Sequence, residues 1–178
     1  MNLRIGVLPL ARPTFDVPYA QEMAASASAA LDAAGHVLVG ARDLLFDAAA
    51  AEAALAALAG ERLDLLLVLQ VTFTDATMTV KIAGAATAPL GLWAFPEPRA
   101  GGRLRLNAFC GLNLAMHALG RAGHDASWLY ASPDAAGAAA AIAAMAKPPA
   151  AARTAAKPAP AADAAASARA DAALAALR

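Results

Sequence analysis

A doubly wound parallel α/β sandwich is the fold class this sequence predicts, and three observations predict it. The stretch Leu63 to Leu69 is a short, almost unbroken apolar run, followed at once by polar Gln70, Thr72, Thr74 and Asp75. That pattern suits a strand buried on both faces, with a polar cluster at its carboxyl end. Four other short apolar runs alternate with helical stretches at spacings that fit right-handed crossovers. Glycines at 35, 60 and 123 close three of the helical stretches, as left-handed caps do. Five strands in this alternation form a three-layer αβα sandwich of the flavodoxin-like type, commonly ordered 2-1-3-4-5. The loops after Leu8 and after Leu69 then face each other across the crevice between the first and third strands.

Leu3 to Leu8 reads as the first strand, stopped by Pro9. A helix begins near Pro18, because proline suits a first turn, and runs to Ala34. His36 to Val39 is the second strand. Asp47 caps a helix carrying Leu55 and Leu58. After the central strand a helix spans about Asp75 to Ala86, with Met78, Val80 and Ile82 among its apolar residues. Pro89 to Phe95 is the fourth strand, and Leu104 and Leu106 suggest a brief extended segment after the Gly101-Gly102 pair. Asn107 is expected to cap a helix to about Ala122. Ala126 to Ala131 is the fifth strand, and Pro133-Asp134 opens a last Ala-rich helix to about Ala146.

From Lys147 the composition shifts to Ala, Pro, Lys and Arg, so the chain divides into a domain at 1–146 and an Ala/Pro-rich tail at 147–178, disordered or helical. Ala, Arg and Pro are what GC-rich DNA encodes in almost any frame, so the tail fits either a truncated or frameshifted gene or the end of a standalone domain. About a third of the residues are Ala, which inflates the hydrophobic fraction of 60%. The core must therefore come from Leu, Val, Ile, Phe and Trp. Lys and Arg balance Asp and Glu at 14 each, leaving no footprint for nucleic acid or an anionic membrane. A single cysteine, Cys110, fits a reducing compartment, and there is no signal peptide or transmembrane run. The expectation is a soluble, cytoplasmic protein.

Nucleotide and metal signatures are missing: there is no G-x-G-x-x-G after the first strand, no P-loop, and no H-E-x-x-H or cysteine pair. What remains is a ring of polar residues projected to strand ends. Arg12 and Asp16 come from the first loop, Gln70, Thr72, Thr74 and Asp75 from the third, Glu97 from the fourth, and Asn107, Asn113 and His117 from the helix after it. Each has a plainer reading. Asp75 and Asn107 suit helix caps, Arg12 and Glu97 solvated loop charges or partners of each other, and Cys110 a small buried hydrophobe. Helical spacing puts Cys110, Asn113 and His117 on one face.

The runs Gln70-Val71-Thr72-Phe73-Thr74-Asp75, Pro89-Leu90-Gly91-Leu92-Trp93-Ala94-Phe95-Pro96-Glu97 and Asn107-Ala108-Phe109-Cys110-Gly111-Leu112-Asn113, ending at His117 and Gly120-Arg121, carry a resemblance. Over about residues 3 to 133 they resemble the amino-terminal domain of L-fucose/L-arabinose isomerase-like proteins, which are metal-dependent aldose–ketose isomerases. The resemblance implies that the Mn(II) ligands lie in later domains, so that this chain retains no cofactor and no catalytic or metal-binding residue. It implies a sugar as the small-molecule partner, met by Arg12, Asp16, Thr72, Asp75, Glu97 and His117. It also implies a homo-oligomer, or docking to a full-length isomerase subunit, because the domain closes over a neighbour's active site in such proteins. His117 matches the substrate-contacting histidine of an L-N-x-x-x-H pattern, while Leu114 replaces a glutamine and removes one polar sugar contact. The other reading is a non-catalytic flavodoxin-like module for a small ligand or for subunit assembly.

Overall fold

The computed structural model describes residues 2–99 and 101–147, so the expectation for the tail falls, from residue 148 on, outside the described residues. Strands β1 (Arg4–Leu10), β2 (Val37–Gly40), β3 (Leu65–Gln70), β4 (Leu90–Ala94) and β5 (Ser127–Tyr130) alternate with helices α1 (Val17–Ala33), α2 (Ala48–Ala57), α3 (Thr77–Ala85), α4 (Ala108–Ala122) and α5 (Ala138–Met145). All pairings are parallel and the order is β2-β1-β3-β4-β5. This is the flavodoxin-like sandwich, and β1 and β3 sit together at its centre. Every residue of β3 is buried, which is why its sequence shows no alternation.

In-register neighbours face the same side of a sheet. Gly6, Leu66 and Leu90 share one face; Val7, Leu67 and Gly91 share the other. Leu58, just past α2, lies over Gly6, and Gly111 of α4 lies over Gln70 of β3, so α2 and α4 occupy the first face. Helix α3 packs between them. Met145 of α5 covers Gly91 on the second face, where a Cβ would stand 2.8 Å from the methionine sulfur. Trp93 is buried on that face, donating from Nε1 to the Ala131 carbonyl at 3.0 Å and meeting Phe95 edge-on.

Several boundaries differ from expectation, for physical reasons. Strand β1 runs through Pro9 to Leu10. The Pro9 carbonyl accepts from Leu45 on the β2 side, so its nitrogen faces that side too, where the ladder with β2 has ended at Val7 and Gly40. A proline there forfeits no sheet hydrogen bond. Helix α1 starts at Val17, capped by Asp16, and α3 starts at Thr77 without a side-chain cap. Leu104 and Leu106 join no strand; Leu106 is buried and its carbonyl accepts from Phe73 at 2.8 Å. The residues after Pro133 turn before α5 begins at Ala138.

Candidate functional site

The carboxyl ends of β1 and β3 are tied together beyond the sheet. Val71 donates its N–H to the Leu10 carbonyl at 3.0 Å, and the Arg12 N–H donates to Thr72 Oγ1 at 2.8 Å. Thr72 is fully buried and its hydroxyl donates onward to the Phe73 carbonyl at 3.3 Å. Gln70, also buried, donates from Nε2 to the Thr72 carbonyl at 2.7 Å and to Thr74 Oγ1 at 2.9 Å, which holds the turn in shape. On this base the Arg12 guanidinium pairs with the Asp75 carboxylate, both side chains remaining well exposed. The Arg12 hydrogen bond is the main cause holding the Asp75 carboxyl below its ordinary pKa, with Thr77 adding to it. The pair therefore offers solvent a fixed cation and a fixed carboxylate side by side, at the point where ligands enter open parallel sheets.

The β4–α4 loop folds back over this rim. Glu97 Oε1 accepts from the Leu106 N–H at 2.8 Å and from the Asn107 N–H, while Oε2 accepts from the Arg105 N–H at 2.9 Å. Glu97 thus nucleates the turn into α4. Asn107 has the left-handed backbone (φ 51°) and makes no side-chain cap, contrary to expectation. The glutamate takes over the anchoring of this entry, from ten residues upstream. Glycine fits closely at 111, because a Cβ there would crowd the Gln70 amide at 3.0 Å and the Phe73 Cα at 3.1 Å.

Asp16 joins this loop to the first one. It caps α1 by accepting from the Tyr19 N–H at 3.1 Å, and its other oxygen accepts from Arg105 Nε at 2.8 Å. Those contacts, Tyr19 first, lower its pKa. Arg105 also stacks on Tyr19, its Cζ 3.8 Å from the ring centroid. Arg103 Nη2 donates to the Thr14 carbonyl at 3.0 Å. A cleft of about 360 Å³ lies between the two loops, lined by Thr14, Phe15, Asp16, Arg103, Leu104 and Arg105.

The structure therefore brings Arg12, Asp16, Thr72, Asp75 and Glu97 to one rim and leaves His117 apart. Cys110, Asn113 and His117 do share a face, and all three are exposed. But α4 runs away from the rim, and His117 lies nine residues beyond its first, about 14 Å from its start. Within the rim, Thr72 and Glu97 are committed to backbone partners, and Asp16 to a cap and an ion pair. Among the described residues, the Arg12–Asp75 pair, Arg103 and Arg105 face solvent here. Sequence reasoning passed over both of the latter arginines. The signal available was the Gly101-Gly102 pair, a turn that returns the next residues over the rim.

A larger groove of about 450 Å³ opens at the opposite end of the sheet, beside Leu55, Leu58, Leu63 and Leu66. Its lining is mostly apolar and lies at the amino end of β3, where this fold class does not place its chemistry. Among the described residues no three His, Cys, Asp or Glu side chains stand close enough to hold a metal ion, so Mn(II) finds no fitting donor set there. No described helix is long and apolar enough to cross a membrane.

Comparison with known proteins gives a consistent result. The family described as fucose/sulfoquinovose isomerase, N-terminal domain, matches residues 6–155. Sulfoquinovose isomerases of Priestia megaterium (strain ATCC 12872 / QMB1551) and Priestia aryabhattai are each 27% identical over 133 residues, covering 75% of this chain and 30% of their own length. One from Alkalicoccus urumqiensis is 33% identical over 73 residues, 41% of this chain and 16% of that protein. The chain spans about 30% of the length of the curated relatives it matches over most of its own.

Proposed function

This chain belongs to the family of fucose/sulfoquinovose isomerase N-terminal domains, and from that premise we propose that it supplies substrate contacts and subunit packing to an aldose–ketose isomerase of carbohydrate metabolism. The observation that carries the reading is the Arg12–Asp75 pair, braced by Thr72 at the junction of β1 and β3. A guanidinium beside a carboxylate offers a sugar both donors and acceptors, which is what adjacent hydroxyls need to be held in one orientation. Asp16 and Glu97 serve the same site by fixing the two loops that border it. His117, on the solvent face of α4, is suited to contact a sugar only where a neighbouring subunit brings one to it. Phe109 and Trp128, about half exposed on the α4 and β5 side, favour such packing, in a homo-oligomer or against a full-length subunit.

On this reading residues 1–146 form the sugar-isomerase-type domain and 147–178 its tail, working in the cytoplasm. The proton transfer between the two sugar carbons, and the Mn(II) that assists it, belong to other domains of the enzyme. The substrate is an aldose; the names of the relatives point to a sulfonated one. An isomerase assay of the purified chain with Mn(II) and several aldoses tests this division: no turnover is expected, and robust turnover overturns it. The second reading, a small-ligand or assembly module without a part in isomerisation, rests on the exposed Phe109–Trp128 side. Binding of a non-sugar in preference to aldoses would favour it.

A further inference from the structure

Helix α2 holds its own shape well and its surroundings weakly. Eight of its ten residues are alanine, which favours helix strongly and has little apolar surface to bury. Each of the other four helices buries a larger apolar side chain: Leu31 in α1, Ile82 in α3, Leu112 in α4 and Ile142 in α5. Within α2 only Ala51 is buried; Leu55 is half-buried, and Leu58, in the turn that follows, is the one large anchor, set over Gly6. Side chains this short leave space on both flanks. Clefts of about 450 and 300 Å³ follow the seam with α3 and share Leu55 and Ala85. A third, of about 330 Å³, lies between α2 and the end of β2 at Val39 and Gly40. The strap across the seam is the Lys81–Glu52 ion pair, whose side chains are both more than half exposed.

The segment also has defined ends. Before it, Leu44 and Leu45 are buried, and Leu45 is clamped to β1, donating to the Pro9 carbonyl at 2.8 Å and accepting from the Ala11 N–H at 3.0 Å. After it, Gly60 has a left-handed backbone (φ 88°) with open space around it, and Glu61 is tied to Arg4. We infer that residues 47–60 form a latch, a helical flap that detaches from the sheet as one unit between these two clamps while the rim at Arg12 and Asp75 stays in place. Segments with few buried apolar contacts are the ones that open below the free energy of global unfolding. A ten-residue helix is marginal alone, so release from the sheet frees its amides to exchange. Detachment joins the three clefts and uncovers the face of the sheet around Gly6 and Leu66. The inference is independent of the sugar-binding reading.

Native-state hydrogen exchange of the full chain, followed residue by residue in NMR, is the test. Amides of residues 52–57 are expected to exchange through a common opening, about tenfold or more faster than those of β3 and α4, and with little response to low urea, because a small opening exposes little surface. Glu52→Gln should speed them about two- to fivefold, the yield of one exposed ion pair, and added salt should act on the parent in the same direction. Ala54→Leu, which puts a branched side chain into the cleft beside β2, should slow them about threefold or more. The Arg12 and Val71 amides should keep their parent rates in both variants. Four results would each overturn the latch: α2 amides that exchange only in step with β3, α3 amides that open together with α2, α2 rates untouched by both substitutions, or an Arg12 amide that quickens along with α2 in Glu52→Gln.

Discussion

Glu97 is the rim residue whose part is most open to experiment, because its position alone suggests a sugar ligand while its bonds describe an anchor. Its carboxylate accepts three backbone N–H groups, from Arg105, Leu106 and Asn107. The Arg105 N–H is exposed and would be taken up by water in Glu97→Ala, so it contributes little. The other two are partly buried, and Leu106 itself has no exposure. Hydrogen bonds to a charged acceptor are worth roughly 1.5–3 kcal/mol each, and some water will reach the turn, so the loss should be about 2–4 kcal/mol. For a domain of this size that lowers Tm by roughly 5–12 °C. Glu97→Gln keeps one acceptor oxygen and turns an NH2 toward a donor, so about half that loss is expected. Urea denaturation and thermal melts of the three proteins give the numbers. A Glu97→Ala variant within about 0.5 kcal/mol of the parent would refute the anchoring argument and return Glu97 to the ligand set.

Four further outcomes follow from the same geometry. Arg12→Gln removes an exposed ion pair and should cost under about 1 kcal/mol in urea melts, while weakening aldose binding in an NMR titration. Asp75 and Asp16 both have lowered pKa values in the fold, so their contribution to stability is present above the ordinary carboxylate range and is lost as pH falls through the lowered values. The acid-side loss should therefore be shallower in Arg12→Gln, and an identical profile in urea melts run down the pH scale would contradict the ion pair. Gly111→Ala gains helix propensity but drives a methyl into the Gln70 amide and Phe73 backbone, for a net loss of about 1–2 kcal/mol. Gly91→Ala meets chiefly the mobile end of Met145 and should stay within about 1 kcal/mol of the parent.

Much of the architecture was readable from residue order. Strand β3 announces itself because burial on both faces removes every polar residue between Leu65 and Leu69, and the flip at Gln70 marks its carboxyl end. Pro9 misled because proline stops a strand only where its nitrogen faces a partner, and that depends on where the neighbouring strand ends. The rim residues Arg12, Thr72 and Asp75 were legible because two adjacent strand ends must bring their loops together. Their tasks were not. Asp16 stands before Val17-Pro18 in the position of a helix cap, and Glu97 turns on backbone bonds eight to ten residues away, which no periodicity encodes. The shared face of Cys110, Asn113 and His117 followed from spacing, yet height along the helix, a matter of rise per residue, takes His117 off the rim.

The account turns on the crest where β1 and β3 end, and an amide-resolved titration of the chain with an aldose measures it most directly. Shifts that grow together at Arg12, Thr72 and Asp75, and disappear in Arg12→Gln, are the predicted result. Saturable shifts confined to Leu55, Leu58 and Ala85, in the apolar groove at the other end of the sheet, would contradict it.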